Sequence, residues 1–296
     1  MSEDVKAPVF DLNAWNQVQL QRTEVALSAW VGIDAPAGLG EAMRYAVLDG
    51  GKRLRPLLVL AACEAVQGNA EAAVRAACAV ELIHAYSLVH DDMPCMDNDV
   101  LRRGKPTVHV AFGEASALLA GDALQALAFE LLTPEGDAVP AAMQARLCRL
   151  LGRAAGAQGM AGGQAIDLAS VGVQLNETQL RQMHRLKTGA LLEGSVLMGA
   201  ACGQPSAVAQ QALKDYGAAL GLAFQVVDDV LDVVADSATL GKTAGKDAAN
   251  DKPTYVSLMG LDGARAHAAA LLQESLAALA RSGLHDTQAL QALAHM

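Results

Sequence analysis

The sequence has 296 residues and a formal net charge of -10, because 22 lysines and arginines stand against 32 aspartates and glutamates. This acidic balance argues against a nucleic-acid-binding protein, since phosphate backbones repel a negatively charged chain. Hydrophobic residues make up 52% and charged residues 18%, which excludes a disordered chain and supplies a large core. Aromatic residues reach only 3%, so the composition predicts helices rather than sheets.

The sequence carries no sign of a membrane span or of a secretion signal. No stretch of about 18 uniformly apolar residues is present, and the start, MSEDVKAPVF, lacks the basic and apolar regions of a signal peptide. The 5 cysteines are odd in number and form no CxxC pair, which predicts neither a disulfide framework nor a zinc site. We therefore expect a cytoplasmic protein.

Apolar residues recur at helical spacing along most of the chain. This periodicity predicts helices over Glu41–Leu48, Leu54–Val66, Glu71–Met93, Ala115–Leu132, Ala141–Gly152, Glu177–Cys202, Ala207–Val234 and Ala264–Ala280. The central helices are too uniformly apolar for surface helices, so we predict one all-α bundle in which residues 1–296 form a single domain. Glycines in these helices, such as Gly163 and Gly194, would let neighbouring helices approach closely.

An acidic motif, His90–Asp99, follows one of these apolar helices. Pro94 should end the helix, which places Asp91 and Asp92 on its last turn and lets Asp97 return from a loop. Carboxylates at a helix C-terminus face the negative end of the helix dipole, at a cost of about 0.3–1 kcal/mol each. Because stability does not explain acids at this position, we expect a divalent cation such as Mg²⁺ to offset their repulsion.

A second acidic motif, Gln225–Asp232, lies inside another apolar helix. On an α-helix Asp228 and Asp232 are about 40° apart, and Gln225 lies on the same side. Like charges at this spacing destabilise an isolated helix by a few tenths of a kcal/mol. Two such motifs in core-like sequence argue against solvated helix ends and indicate a metal site.

Basic residues accompany both acidic motifs. In chain order they are Lys52, Arg53 and Arg55, then Arg102, Arg103 and Lys105, then Lys187, and finally Lys242, Lys246 and Lys252. The first group lies at the start of a helix, whose N-terminal N–H groups also attract anions. In an acidic chain, cations beside carboxylates indicate diphosphates held partly through metal ions and partly by direct contact.

Together these motifs resemble those of the trans-isoprenyl diphosphate synthases. The segments GGKRLRP, HAYSLVHDDMPCMDNDVLRRGKPTVH, KTGALLEGSVLMGA and GLAFQVVDDVLDVVADSATLGKTAGKD occur in the family's order and at similar intervals. The resemblance is closest to the bacterial farnesyl diphosphate synthases, which also have four residues between the aspartates corresponding to Asp92 and Asp97. It implies a homodimeric all-α bundle of the isoprenoid synthase type, with both acidic motifs at the mouth of a deep central cavity.

The resemblance also implies ligands for the substrates and metal ions of isoprenoid biosynthesis. Three Mg²⁺ ions, which Mn²⁺ could replace, would be bound by Asp91, Asp92, Asp97, Asp228 and Asp232. The allylic diphosphate would be bound by Arg102, Lys187, Lys242 and Lys252. Isopentenyl diphosphate would be bound by Lys52, Arg55, His84 and Arg103.

Further residues would act on the reacting carbon chain. By resemblance, Lys187, Thr188 and Gln225 are the catalytic residues, and the last two direct oxygen atoms at the developing carbocation. Asp167 would support the diphosphate network from outside.

Tyr86, with Ser87 beside it, would limit the product to fifteen carbons. Tyr86 lies five positions before Asp91, which is about 7.5 Å along a helix. The alternative, that Tyr86 is an ordinary core aromatic residue, stays open.

The implied reaction condenses isopentenyl diphosphate with dimethylallyl diphosphate and then with geranyl diphosphate. The allylic diphosphate ionises, and cations around the leaving group lower this barrier. An apolar pocket keeps water from the carbocation, the double bond of isopentenyl diphosphate attacks it, and a proton is lost. The products would be farnesyl diphosphate and pyrophosphate.

Other functions fit the sequence less well. A geranylgeranyl diphosphate synthase is the main alternative within the family. A class I terpene cyclase would carry more cavity aromatics and a different second metal motif. A metal phosphohydrolase of the HD type, suggested by His90-Asp91, would need more metal-binding histidines than the 7 His of this chain offer.

Overall fold

The structure is a computed structural model that describes residues 10–48, 50–234 and 254–296, and most of these residues are helical. In chain order the helices are α1 (Leu12–Trp30), α2 (Leu39–Val47), α3 (Leu54–Ala65), α4 (Ala70–Asp91), α5 (Val108–Phe112), α6 (Glu114–Leu132), α7 (Ala141–Ala155), α8 (Met160–Ala169), α9 (Glu177–His184), α10 (Ala190–Ala201), α11 (Ala207–Val234), α12 (Tyr255–Ala280) and α13 (Gln288–Ala294). A π-helical turn, Arg185–Gly189, joins α9 to α10. A short antiparallel hairpin of β1 (Leu101–Arg102) and β2 (Lys105–Pro106) follows α4.

The predicted all-α fold is confirmed, and most predicted helices end within a few residues of their expected bounds. The helix predicted over Glu177–Cys202 is divided into α9, the π turn and α10. The helix predicted to begin at Ala264 begins earlier, at Tyr255, and a kink at Gly260 (φ +75°) separates its first turns from the rest. Helices α1, α5, α8 and α13 and the hairpin were not predicted.

Helix α4 is the central helix of the bundle, because it packs against α3 on one side and α6 on another. Its residues Leu82 and Ile83 are fully buried, and each contributes about 1.5–3 kcal/mol by leaving water. By length and composition alone, α4 and α6 are apolar enough to cross a membrane, but core helices pass the same test. The apolar window of α4 is 78% buried inside the protein and that of α6 is 39% buried.

Glycines allow neighbouring helices to pack closely, as the sequence predicted. A Cβ atom at Gly163 of α8 would lie 2.0 Å from the backbone nitrogen of Lys187. A Cβ atom at Gly199 of α10 would lie 2.2 Å from the carbonyl oxygen of Val59 in α3. Both contacts involve backbone atoms, so any larger residue would push the helices apart. Gly163 thereby lets α8 lie directly against the segment that carries Lys187.

Candidate active site

The first acidic motif forms a tight loop at the C-terminal end of α4. The backbone N–H of Asp97 donates to the carbonyl oxygen of Asp91 at 2.9 Å, and that of Asp99 donates to the carbonyl oxygen of Asp92 at 3.1 Å. These bonds satisfy carbonyl groups that a helix end leaves without partners. The structure therefore confirms that Asp91 and Asp92 end the helix and that Asp97 returns to them from a loop.

The carboxyl group of Asp91 is partly buried and lies near other charged side chains. Burial raises the pKa of its carboxyl group, the charge of Lys187 opposes this effect, and the charge of Asp97 adds to it, so that the pKa is about 6. Burial and a like charge both disfavour the ionised carboxylate. A bound cation would favour that carboxylate, so the environment of Asp91 suits a metal ligand.

Asp92 differs from Asp91, because its charge is already paired. The guanidinium of Arg102 donates from Nε to both carboxylate oxygens, at 3.0 and 2.8 Å, and from Nη2 at 2.6 Å. Burial raises the pKa of Asp92, and this hydrogen-bonded pair opposes that effect. The sequence assigned Asp92 to metal ions and Arg102 to the allylic diphosphate. Both assignments stay predictions, and in this structure the two residues bind each other.

A cleft with a volume of about 370 Å³ opens beside the end of α4. The residues of its wall that the sequence singled out are Arg55, His84, Tyr86, Ser87, Asp91, Lys187 and Thr188. Apolar side chains such as Met160 and Leu168 of α8 complete the wall. Helices α3, α4 and α8 and the π turn thus bring residues that are far apart in the sequence to one cavity.

The second acidic motif lies near the cleft, because the charge of its Asp228 acts on Arg55, which lines the cleft. Burial lowers the pKa of Arg55, and the charges of Glu81 and Asp228 oppose the shift. Among the atoms that the structure describes, the buried Nε of Arg55 and the buried Oδ1 of Asp232 have no hydrogen-bond partner. A buried donor and a buried acceptor of this kind cost free energy unless a ligand completes them. Arg55 suits a phosphate oxygen, and Asp232 suits a cation.

Lys52 and Arg53, the two cations just before α3, have different environments. Lys52 is exposed, whereas Arg53 is 4% exposed and binds Glu24 through Nε at 2.6 Å and Glu81 through Nη1 at 2.7 Å. Its Nη2 also donates to the carbonyl oxygen of Val47 at 2.7 Å. Arg53 therefore joins α1, α2 and α4 beneath the loop that carries Lys52.

Replacing Arg53 by alanine is expected to lower the free energy of unfolding by about 3–5 kcal/mol, because Glu81 would remain buried and unpaired. Urea unfolding followed by circular dichroism measures this change. The adjacent Lys52→Ala variant is the control and should unfold within about 0.5 kcal/mol of the unmodified protein. Equal losses in the two variants would contradict a structural role specific to Arg53.

His84 lies among cations and is kept neutral. Burial lowers the pKa of its imidazole well below the usual value, and the charges of Arg55, Arg103 and Arg102 lower it further. The predicted contact of His84 with isopentenyl diphosphate would therefore be a neutral hydrogen bond. Arg103, whose charge acts on His84, donates from its guanidinium to the carbonyl oxygen of Gly50.

Lys187 is held on the cavity wall by Asp167. The Nζ atom of Lys187 lies 2.6 Å from Oδ2 of Asp167, a carboxylate that is 4% exposed. Asp167 is one turn after Gly163 on α8, and the close approach at Gly163 brings the carboxylate within reach. The suggestion that Asp167 acts from behind the diphosphate site fits this geometry.

Thr188, which lines the cavity, Gln225 and Asp229 form a hydrogen-bonded chain that leads away from the cavity. The hydroxyl of Thr188 donates to Oε1 of Gln225 at 2.7 Å. Nε2 of Gln225 donates to Oδ1 of Asp229 at 2.9 Å, and Oδ2 of Asp229 accepts from the backbone N–H of Tyr255 at 2.8 Å. Sequence analysis paired Thr188 with Gln225 but overlooked Asp229. Its only signal was its place beside Asp228, about 100° away around the helix.

Tyr86 has features of both interpretations that the sequence left open, a residue that limits chain length and an ordinary core aromatic residue. Its ring lines the cleft and meets the ring of His90 edge to face, with centroids 5.6 Å apart. Burial raises the pKa of its hydroxyl, and a hydrogen bond with Gln125 of α6 opposes the shift. Tyr86 is thus a packed aromatic residue whose ring also forms part of the cavity surface.

The acidic motifs fit magnesium by the chemistry of their donors. Within residues 10–48, 50–234 and 254–296, no three His, Cys, Asp or Glu side chains are close enough to hold a metal ion by themselves. Mg²⁺ commonly binds proteins through one or two carboxylates and shares its remaining positions with waters and substrate phosphates. The carboxylates of Asp91 and Asp228 suit such shared ions. The predicted ligands Lys242 and Lys252 lie outside the described residues.

The chain is similar in sequence to several known proteins. A family model described as polyprenyl synthetase matches residues 36–293. The chain is 45% identical to a farnesyl diphosphate synthase of Geobacillus stearothermophilus over 83% of this chain and 84% of that protein. It is 44% identical to a chloroplastic geranylgeranyl pyrophosphate synthase of Catharanthus roseus over 97% of this chain and 80% of that protein.

Solved structures extend the likeness to the whole fold. An FPP/GFPP synthase from Zymomonas mobilis superposes with a TM-score of 0.84 at 42% identity, covering 96% of this chain and 97% of that one. A geranyltransferase from Helicobacter pylori, complexed with magnesium and isoprenyl diphosphate, gives a TM-score of 0.85 at 34% identity, with 98% of both chains covered.

Proposed function

The chain belongs to the polyprenyl synthetase family, and we propose that it is a farnesyl diphosphate synthase. In this reaction isopentenyl diphosphate condenses with dimethylallyl diphosphate and then with geranyl diphosphate. The observation that carries the proposal is the cleft in which Asp91, Lys187, Thr188 and Arg55 share a wall with apolar side chains. Such a site binds charged diphosphates at its rim and keeps the hydrocarbon chain away from water.

The proposed ligands fall into two groups, one for each substrate. Arg55, Lys52, Arg103 and neutral His84 bind the diphosphate of isopentenyl diphosphate. Lys187, oriented by Asp167, binds the allylic diphosphate. The same role is proposed for Arg102, Lys242 and Lys252.

The oxygen atoms of Thr188 and Gln225 face the carbon that becomes positive, and the apolar wall excludes water from it. The proton leaves isopentenyl diphosphate toward the departing diphosphate, so no protein nucleophile is required.

Three Mg²⁺ ions would be held mainly by Asp91, Asp97 and Asp228, with Asp92 and Asp232 close by. When bound, the ions supply positive charge to the leaving diphosphate, and Mn²⁺ could take their place. A relative whose structure contains magnesium and isoprenyl diphosphate supports this proposal. The raised pKa of Asp91 supports it as well, because a cation would offset the cost of ionising a buried carboxyl group.

The assembled protein is proposed to be a cytoplasmic homodimer in which residues 1–296 form one polyprenyl synthetase domain. The exposed side of α6 supports dimerisation, since its Leu118 and Leu119 are 46% and 56% exposed. Neighbouring apolar side chains that are both exposed to water are typical of protein interfaces. No nucleic-acid partner is proposed for this acidic chain.

The decisive experiment incubates the purified protein with isopentenyl diphosphate, dimethylallyl diphosphate and Mg²⁺. Chromatography of the dephosphorylated products should show farnesol as the main product, and excess chelator should abolish its formation. A reaction without dimethylallyl diphosphate is the control for contaminating activities. A folded protein that forms no condensation product, or that turns over equally well with chelator, would overturn the proposal.

Geranylgeranyl diphosphate synthase is the second candidate, because a relative of that name has nearly the same identity as the farnesyl synthases. The same chromatogram distinguishes the two, since the second candidate would yield a twenty-carbon alcohol as the main product. The position of Tyr86 in the cleft favours the shorter product.

Replacing Arg55 by alanine is expected to raise the KM for isopentenyl diphosphate about 10- to 150-fold, because charge-assisted contacts to a phosphate contribute about 1.5–3 kcal/mol. The KM for geranyl diphosphate should change much less. Steady-state kinetics with each substrate varied in turn measures both values. Arg149→Ala, which removes an exposed arginine of α7, is the matched control. If only the KM for geranyl diphosphate rose, the two diphosphate sites would be exchanged.

A further inference from the structure

Asp229 stands between two acids assigned to metal ions, yet its carboxylate has a different environment. It is 2% exposed. One carboxylate oxygen accepts from the side-chain amide of Gln225 at 2.9 Å, and the other accepts from the backbone N–H of Tyr255 at 2.8 Å. Both oxygens are therefore engaged inside the protein, between α11 and the first residue of α12.

Both carboxylate oxygens of Asp229 act as hydrogen-bond acceptors in these contacts. Asp229 therefore requires the NH₂ group of Gln225 to face it, and the carbonyl oxygen of the amide must face the opposite way. That oxygen accepts from the hydroxyl of Thr188 at 2.7 Å. Because the single proton of the Thr188 hydroxyl is used in this bond, the lone pairs of the hydroxyl oxygen remain for the cavity, which Thr188 lines.

We propose that Asp229 is a positioning residue that orients the Gln225 amide and, through it, the Thr188 hydroxyl, so that the hydroxyl oxygen presents its lone pairs to the reacting carbon. The inference rests on the proposed function, in which that carbon becomes a carbocation. If the amide were reversed, its NH₂ group would donate to Thr188, and the hydroxyl proton would turn toward the cavity. Partial positive charge would then face a positive reaction centre.

Asp229→Asn is the first test, since asparagine has one acceptor oxygen where two are needed. With that oxygen bound to the N–H of Tyr255, the new NH₂ group faces Gln225 and reverses its amide. The kcat is expected to fall about 100-fold, the size of effect that a misdirected electrostatic group has on a charged transition state. The KM for both substrates and the Mg²⁺ concentration for half-maximal rate should stay within about 3-fold.

Asp228→Asn is the matched comparison, because it changes the adjacent acid that is assigned to a metal ion. It should raise the Mg²⁺ concentration for half-maximal rate at least 10-fold. If Asp229→Asn raises this concentration equally, Asp229 is a metal ligand and the inference is wrong. If the unmodified protein forms no condensation product, the proposed function fails instead.

A paired substitution separates orientation from general damage to the fold. Gln225→Glu alone places two carboxylates against each other, whereas adding Asp229→Asn restores a donor opposite an acceptor and leaves an oxygen facing Thr188. The double variant is expected to be at least 10-fold more active than Gln225→Glu alone, with a melting temperature at least as high. This comparison holds even if Asp229→Asn alone folds poorly. A double variant no more active than Gln225→Glu would overturn the inference.

Discussion

Replacing Asp91 by alanine is expected to lower kcat about 1,000-fold. The substitution removes a carboxylate proposed to hold the cation that neutralises the leaving diphosphate, and loss of such stabilisation costs several kcal/mol. Steady-state turnover of geranyl and isopentenyl diphosphates at saturating Mg²⁺ measures the loss. Asp228→Ala should have an effect of similar size, because Asp228 supplies the second acidic motif.

Two further variants show whether the loss is specific to these positions. Asp262→Ala removes a fully exposed acid of α12 and should leave kcat within about 2-fold, since exposed substitutions far from a site have small effects. Asp232→Ala should reduce kcat less than Asp228→Ala if Asp228 carries the ion. Equal losses at these two positions would show that the assignment within the second motif is wrong.

Replacing Tyr86 by alanine is expected to shift the main product from fifteen to twenty or more carbons. The chain is anchored by its diphosphate near Asp91, and Tyr86 lies about 7.5 Å further down α4, where its ring forms part of the cleft wall. Removing the ring leaves a cavity that a longer chain can enter. Chromatography of the dephosphorylated products measures the shift.

Tyr86→Phe is the matched control for this prediction. It keeps the ring but removes the hydroxyl that hydrogen-bonds to Gln125, and its product should remain at fifteen carbons. A fifteen-carbon product from a folded and active Tyr86→Ala variant would place the end of the cavity at another residue. A longer product from Tyr86→Phe would instead assign the limit to the hydrogen bond with Gln125.

The parts of the site predicted from sequence are those fixed by neighbouring residues. Pro94 indicates where α4 ends, so the positions of Asp91 and Asp92 at that end followed from local rules. The faces of α11 follow from helical periodicity, which placed Gln225 and Asp228 on related sides. Both predictions needed only a few consecutive residues.

The partners of buried charges could not be predicted, because they come from distant parts of the chain. Arg53 looked like its neighbours Lys52 and Arg55 until the fold placed it against Glu24 and Glu81. Helix propensity failed for a related reason. Helix α8 contains Gly162 and Gly163, which weaken an isolated helix. The close approach of the π turn requires Gly163, and the nearby carbonyl oxygen of Ala157 requires Gly162.

The π turn between α9 and α10 allows one long helix to satisfy two unrelated sets of neighbours. Leu180 and Met183 of α9 pack in one hydrophobic cluster with Val226, whereas Leu192 and Val196 of α10 pack in another. A wide turn adds about one residue to the ladder, which rotates the second half by about 100° relative to an unbroken helix. Helices α9 and α10 can therefore each turn a different face toward their own neighbours. The π turn that separates them carries Lys187 and Thr188, which line the cavity.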